Sequence, residues 1–164
     1  MGIPAFLAEL REVVGRRPLW LSGVSAVVVD EDGRVLLGRR VDNGRWALIG
    51  GIIDPGEQPA DTVVRECLEE TGVTVLPERL VAVGVSPMIE YPNGDRSQYL
   101  DLVFRCRPLS GEARVNDDES LEVGWFHPDA LPDIGDRARG HVAHALAGKD
   151  AAHFELTELR GELQ

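Results

Sequence analysis

The sequence predicts an α/β (α+β) fold on three observations. Short runs of aliphatic and β-branched residues read as strands at 24–30, 35–40, 46–49, 79–86 and 98–107, divided by Gly, Asn, Asp and Pro. Helical spacing of apolar residues appears separately: near the N-terminus, after a glycine-rich turn, and over 136–146. The 164 residues suffice for one domain with a real core and argue against a second independent one.

In chain order, Pro4 suits the first turn of a helix. Ile3, Phe6, Leu7, Leu10, Val13 and Val14 give that helix an apolar stripe, and Gly15 stops it. Residues 1–15 therefore form an N-terminal accessory helix, either packed on its own domain or contacting a second copy in a homodimer. Residues 16–21 read as a linker or edge segment. The strand at 24–30, the turn Asp30-Glu31-Asp32-Gly33 and the return strand at 35–40 form a hairpin. Arg39 and Arg40 end it, either solvated or meeting a phosphate. Asp42-Asn43-Gly44 makes the next turn. Trp46, in the short strand at 46–49, reads as scaffold rather than as a base-stacking group.

Gly50-Gly51 and Gly56 then allow tight turns and close backbone approach. No Gly-Lys-Ser/Thr follows, so this is not a P-loop, and no glycine triplet opens the next helix as in a dinucleotide fingerprint. Pro59 fits the first turn of that helix and Gly72 its end. Ala60, Val63, Val64, Cys67 and Leu68 line one side, so another side presents Glu66, Glu69 and Glu70. Glu66 and Glu70, four apart, stack on adjacent turns and would repel unless a cation lay between them. Mg²⁺ suits such oxygen ligands and engages substrate phosphates at the same time. Arg65 can pair with Glu69, or reach back to Glu57 and brace the loop. A solvated acidic helix face satisfies the same spacing.

Composition narrows the function classes. The formal net charge is −11, from 28 acidic and 17 basic residues, which disfavours a nucleic-acid polymer as partner. A small nucleotide remains compatible, because a metal neutralises phosphates locally. Cys67 and Cys106 lack zinc-like spacing and point to a reduced, cytoplasmic setting. No apolar run has signal-peptide or membrane-spanning character, so no membrane is expected.

From Gly51 the chain reads glycine, five residues, Glu57, seven residues, Arg65-Glu66, Cys67, one residue, Glu69-Glu70, one residue, Gly72 and Val73. This 23-residue pattern, with every fixed position filled, resembles the complete motif of the Nudix hydrolases, a family of MutT-like and ADP-ribose pyrophosphatase-like enzymes. Cys67 stands where the family usually has an aliphatic residue, and Ile49 where a proline often precedes the paired glycines. The broader likeness, from about Val24 to Leu131, spans the family core.

The resemblance implies a Nudix-type α/β/α sandwich with a mixed sheet and a single Nudix domain over residues 1–164, with an uncertain tail at 150–164. It implies Mg²⁺-dependent hydrolysis of a diphosphate linkage in a nucleoside diphosphate derivative, with Mn²⁺ as a substitute. Glu66 and Glu70 would be the main metal ligands, with the Gly50 carbonyl. Glu69 would ligate too, or orient the water. Glu57 and Arg65 would hold the loop against the helix. Family architecture also puts an acidic residue ahead of a strand near Trp125 and Phe126, which makes Glu119 the first candidate for the base and Glu122 the second. Tyr91 and Tyr99, with Met88, are candidate walls for a nucleoside. An ADP-ribose-like substrate competes with an oxidised nucleoside triphosphate and with a dinucleotide. A non-catalytic nucleotide-binding regulator would be expected to lack a motif glutamate, and none is missing. His141 and His144 read as surface or packing residues.

Overall fold

In β1 (Leu19–Val28) both faces are apolar. Val24, Ala26 and Val28 belong to one buried cluster, with Val63 and Cys67; Val27 lies in another, with Val142 and Ala145. A strand of this kind has to be covered on both sides. The computed structural model, which describes residues 3–156, shows how that is done. The remaining elements are α1 (Ala5–Val14), β2 (Val35–Arg40), β3 (Trp46–Ala47), β4 (Ile49–Ile52), α2 (Pro59–Thr71), β5 (Thr74–Val85), β6 (Ile89–Glu90), β7 (Arg96–Ser110), β8 (Ser120–Phe126) and α3 (Gly135–Leu146), with a 3₁₀ turn at Pro128–Ala130.

One sheet runs β4-β1-β7-β5, with β6 paired to β7. Its β1–β7 pair is parallel, from Leu19 opposite Ser97 to Val28 opposite Cys106. The other pairs in that sheet are antiparallel, so the sheet is mixed. A second antiparallel sheet runs β3-β2-β8. Helix α2 packs on one face through Val63 and Cys67, and α3 on the other through Val142 and Ala145. The expected α/β/α sandwich with a mixed sheet is the observed one. No helix among the described residues is long and apolar enough to cross a membrane.

Several boundaries differ from the expectation. Part of the linker expected at 16–21 is strand, because β7 supplies a parallel partner from Leu19 onward. The hairpin expected from 24–40 keeps its turn, with the Asp30 and Gly33 amides bonded to the Arg34 and Asp30 carbonyls. Its arms share only the bridge Val29–Val35 and then diverge into separate sheets. The strand expected at 46–49 splits: β3 joins β2, whereas Ile49 starts β4 against β1. Trp46 meets Phe126 edge-on, centroids 4.8 Å apart, in keeping with the scaffold reading. Strand β5 begins at Thr74 rather than 79, and β7 runs three residues past the expected end.

His144 stacks on His153, centroids 4.0 Å apart, and the chain near His153 bridges to Ala82. The rest of the expected tail, residues 157–164, lies outside the described residues.

Candidate active site

Strand β4 carries Gly50 and Gly51 directly under α2. A Cβ on Gly51 would stand 2.2 Å from Glu66 Oε1, and one on Gly50 would stand 2.2 Å from the Val24 carbonyl oxygen. The two bare positions let the helix carboxylates reach the backbone. Glu66 is only 6% exposed, and the Gly50 amide donates to Glu70 Oε1 at 3.3 Å. The amphipathic reading put these carboxylates on a side of the helix other than the apolar one. Glu66 instead shares the buried side with Val63 and Cys67, because the glycines leave room for it there.

Helix α2 starts with Pro59 as its first residue and ends at Gly72, whose φ of 70° closes the last turn. The loop before β8 is bonded to that end: the Arg114 and Asn116 amides donate to the Thr71 and Glu70 carbonyls, and Asn116 Nδ2 donates to the Leu68 carbonyl. The Thr71 and Glu70 carbonyls are helix-end acceptors outside the helix's own ladder, the Leu68 carbonyl also accepts the Gly72 amide, and together these bonds fix the approach of the chain to Glu119.

Arg65 braces the turn. Its Nε and Nη2 donate to the two oxygens of Glu57 at 2.9 and 3.0 Å, while Nη1 donates to Glu66 at 2.8 Å and Glu69 at 3.2 Å. The bidentate pair holds the Glu57 carboxyl down at about 2. The two alternatives for Arg65, Glu57 or Glu69, are thus both realised.

Burial first, and then the charge of Glu66, pushes the Glu70 carboxyl up to about 8, with Asp117 and Glu119 adding to the rise. Burial likewise raises Glu66, against the opposing pull of Arg65. Carboxylates crowded in this way fit a hard divalent cation, which would convert their repulsion into binding. Among the described residues no three His, Cys, Asp or Glu groups stand as a ready-made cage. Mg²⁺ needs none, since one or two carboxylates with waters and substrate phosphates suffice.

A cavity of about 680 Å³ opens beside this cluster, on the α3 side of the sheet. Glu66, Gly50, Gly51, Glu119, Arg40, Tyr91 and Tyr99 all line it. The Tyr91 and Tyr99 hydroxyls are 2.7 Å apart, and Arg40 forms an ion pair with Asp42 at 2.8 Å. Glu57, Arg65, Glu69 and Glu70 stay in the cluster beside it, and three further candidates lie elsewhere. Arg39 donates to the Gly44 carbonyl and to Glu122 across the β2–β8 pair, so Glu122 is engaged there too. Met88 is exposed outside the cavity.

Sequence reasoning missed Arg11, Ser25, Asp101 and Arg137, which also line the cavity. Ser25 Oγ donates to Asp101 Oδ1 at 3.0 Å, and Arg137 donates to Asp101 Oδ2 at 3.2 Å. The available signal was Asp101 itself, an acid between Leu100 and Leu102 in a strand covered on both sides.

Residues 20–146 match the NUDIX domain model. A MutT-like protein of Streptomyces ambofaciens is 43% identical over 114 residues, covering 70% of this chain and 68% of that protein. A putative 8-oxo-dGTP diphosphatase of Bacillus subtilis is 31% identical over 114 residues, covering 70% and 71%. Among solved structures, an ADP-ribose pyrophosphatase from Streptococcus suis superposes with a TM-score of 0.63 at 29% identity, over 82% of this chain and 96% of that one. Matched domain, fold and complete motif agree on a hydrolase of diphosphate linkages in nucleotide-like substrates, of a kind that generally requires a divalent metal, and the chain belongs to the Nudix hydrolase family.

Proposed function

We propose that the substrate is an ADP-ribose-like nucleoside diphosphate derivative. The observation that carries this reading is the extent and lining of the cavity. It runs from Glu66 and Glu119 past a polar floor of Ser25, Tyr99 and Asp101 to Tyr91, in about 680 Å³. That is well within the range of sites that enclose whole ligands, and larger than a diphosphate group alone requires. Hydroxyl and carboxylate groups on the floor suit the hydroxyls of a sugar.

In this reading Glu66 and Glu70 would hold Mg²⁺, with the Gly50 carbonyl and Glu69, and Mn²⁺ would substitute. Bound there, the ion supplies charge neutralisation and polarisation of the diphosphate. Glu119 takes a proton from the attacking water, with Glu69 as the alternative orienting group. Water adds at phosphorus, the bridging P–O bond breaks, and a monophosphate leaves. Arg40 faces the phosphates, and Tyr91 and Tyr99 face the nucleoside. Arg65 and Glu57 keep the turn against α2. Arg39 acts only indirectly, through its pair with Glu122 beside Arg40. The size of the cavity and the net charge of −11 favour a small cytoplasmic nucleotide over a nucleic-acid polymer.

The named activity of the Bacillus subtilis relative favours a second reading, an oxidised nucleoside triphosphate. A panel of ADP-ribose, 8-oxo-dGTP, NADH and diadenosine polyphosphates, assayed with Mg²⁺ and with Mn²⁺ and with products resolved, separates the two. The highest kcat/KM is expected for ADP-ribose. A triphosphate or dinucleotide turned over faster would replace that substrate, and binding across the panel without hydrolysis would remove the catalytic reading.

A further inference from the structure

Helix α1 precedes the part of the chain that matches the family domain, yet it walls the cavity. Ile3, Pro4 and Leu7 face the space, opposite Pro87, Ile89 and Pro92 around the β6–β7 turn. Leu7 is the buried residue of α1, whereas Val13 on its outward side is 85% exposed.

One side chain fixes this helix in place. Arg11 Nη2 donates to the Arg96 carbonyl at 2.8 Å and to Ser97 Oγ at 3.0 Å. Its Nη1 donates to the Arg17 carbonyl at 2.7 Å and the Gly15 carbonyl at 3.1 Å, and Nε lies 3.6 Å from Asp95 Oδ2. Ser97 is buried, and the Arg11 side chain is only 11% exposed. A planar guanidinium is suited to several acceptors at once in a way an ammonium is not. The Arg16 side chain lies over Gly94, 3.3 Å from where a Cβ there would stand.

The cavity thus has a carboxylate end and a polar floor, then an apolar end between α1 and the hairpin. A nucleotide anchored at the carboxylates carries one flat, weakly hydrated group, its base. We propose that α1, with Ile3 and Pro4 leading into it, forms the base-binding wall and that Arg11 is the positioning residue that sets it. This rests on the nucleotide-hydrolase reading above. The helix then acts in substrate choice rather than as a mere surface cover. Arg11 makes its contacts to the protein, and the wall residues make theirs to the base.

The test compares a probe that carries a nucleoside with one that carries phosphate alone. AMP and inorganic pyrophosphate are titrated calorimetrically, with Mg²⁺, into wild type, Arg11→Met and Ile3→Ser. Ile3 is 56% exposed, so its substitution leaves folding intact if Arg11→Met does not fold. AMP affinity is expected to weaken about ten-fold in Arg11→Met and a few-fold in Ile3→Ser, in line with apolar surface lost from the site, while pyrophosphate affinity stays within two-fold. Arg11→Lys is expected to restore little. Equal weakening of both probes, or no change in AMP affinity in either variant, overturns the role of the α1 wall while leaving the hydrolase reading intact. Wild type that binds neither probe overturns both.

Discussion

The two ends of the cavity are built in opposite ways. At the carboxylate end Gly50, Gly51, Glu57, Arg65, Glu66 and Glu70 come from one short stretch, and the closest contacts join neighbouring elements. At the far end Arg11 reaches Ser97, 86 positions away, and the wall exists only once α1 has docked on the hairpin. The first arrangement is fixed by the local chain and by missing side chains. The second is fixed by tertiary contacts. Substitutions at the first should therefore stop the reaction, whereas those at the second should change how well a nucleotide is held.

The largest effect is expected for Glu70→Gln, which removes a charge at the reacting centre and should lower kcat on the order of 10²–10³-fold in a Mg²⁺-saturated assay. Gly51→Ala follows. Its Cβ would stand 2.2 Å from Glu66 Oε1, so the carboxylate has to move, and a loss of about 10²-fold in kcat is expected from a misplacement of that size. Retained turnover in Gly51→Ala would show that Glu66 has freedom the packing denies it.

Glu57→Gln breaks the bidentate brace and should cost roughly ten-fold in activity, as supporting groups around a metal site do. It also carries a pH signature. The Glu57 carboxyl, ordinarily at 4.5, is held at about 2 in the folded chain. Depressed in this way, it contributes stability that is complete above about 4.5 and lost as pH falls toward 2. The melting-temperature gap between wild type and Glu57→Gln should be open at pH 7 and narrower at pH 3. A gap of equal width at both values would mean the ion pair adds nothing to folding.

On the floor between the two ends, Tyr99→Phe removes a hydroxyl that the proposed function turns toward the substrate sugar; a bond of about 1 kcal/mol there corresponds to roughly a five-fold rise in KM, with kcat kept. Smallest of all, Arg39→Ala should leave both constants within two-fold, because its partners are Gly44 and the exposed Glu122.

This contrast also explains what could be read in the sequence. Helix α2 was legible because Pro59 and Gly72 punctuate it and because the motif fixes the spacing of its glutamates. The Glu57–Arg65 brace was legible for the same reason. The burial of Glu66 was not, since spacing reports which residues share a helix face and not what the neighbouring strand lacks. The hairpin at 24–40 misled because its turn is locally sound, while the partner that captures β1 lies 78 positions further on, in β7. Arg39 and Arg40 are adjacent and chemically alike, yet a register shift between them sends one to Glu122 and the other to the cavity. Arg11 sat on the polar side of an amphipathic helix with nothing local to separate it from a solvated arginine.

The most direct test sets one variant from the carboxylate end beside one from the floor that leads to the far end. Glu70→Gln and Tyr99→Phe are assayed for kcat and KM on ADP-ribose, or on whichever nucleotide the panel selects, at saturating Mg²⁺. Glu70→Gln is expected to lose kcat with the fold retained, and Tyr99→Phe to shift KM alone. Wild-type turnover in Glu70→Gln, or a matching loss of kcat in both variants, would contradict the division between a reacting end and a recognising end.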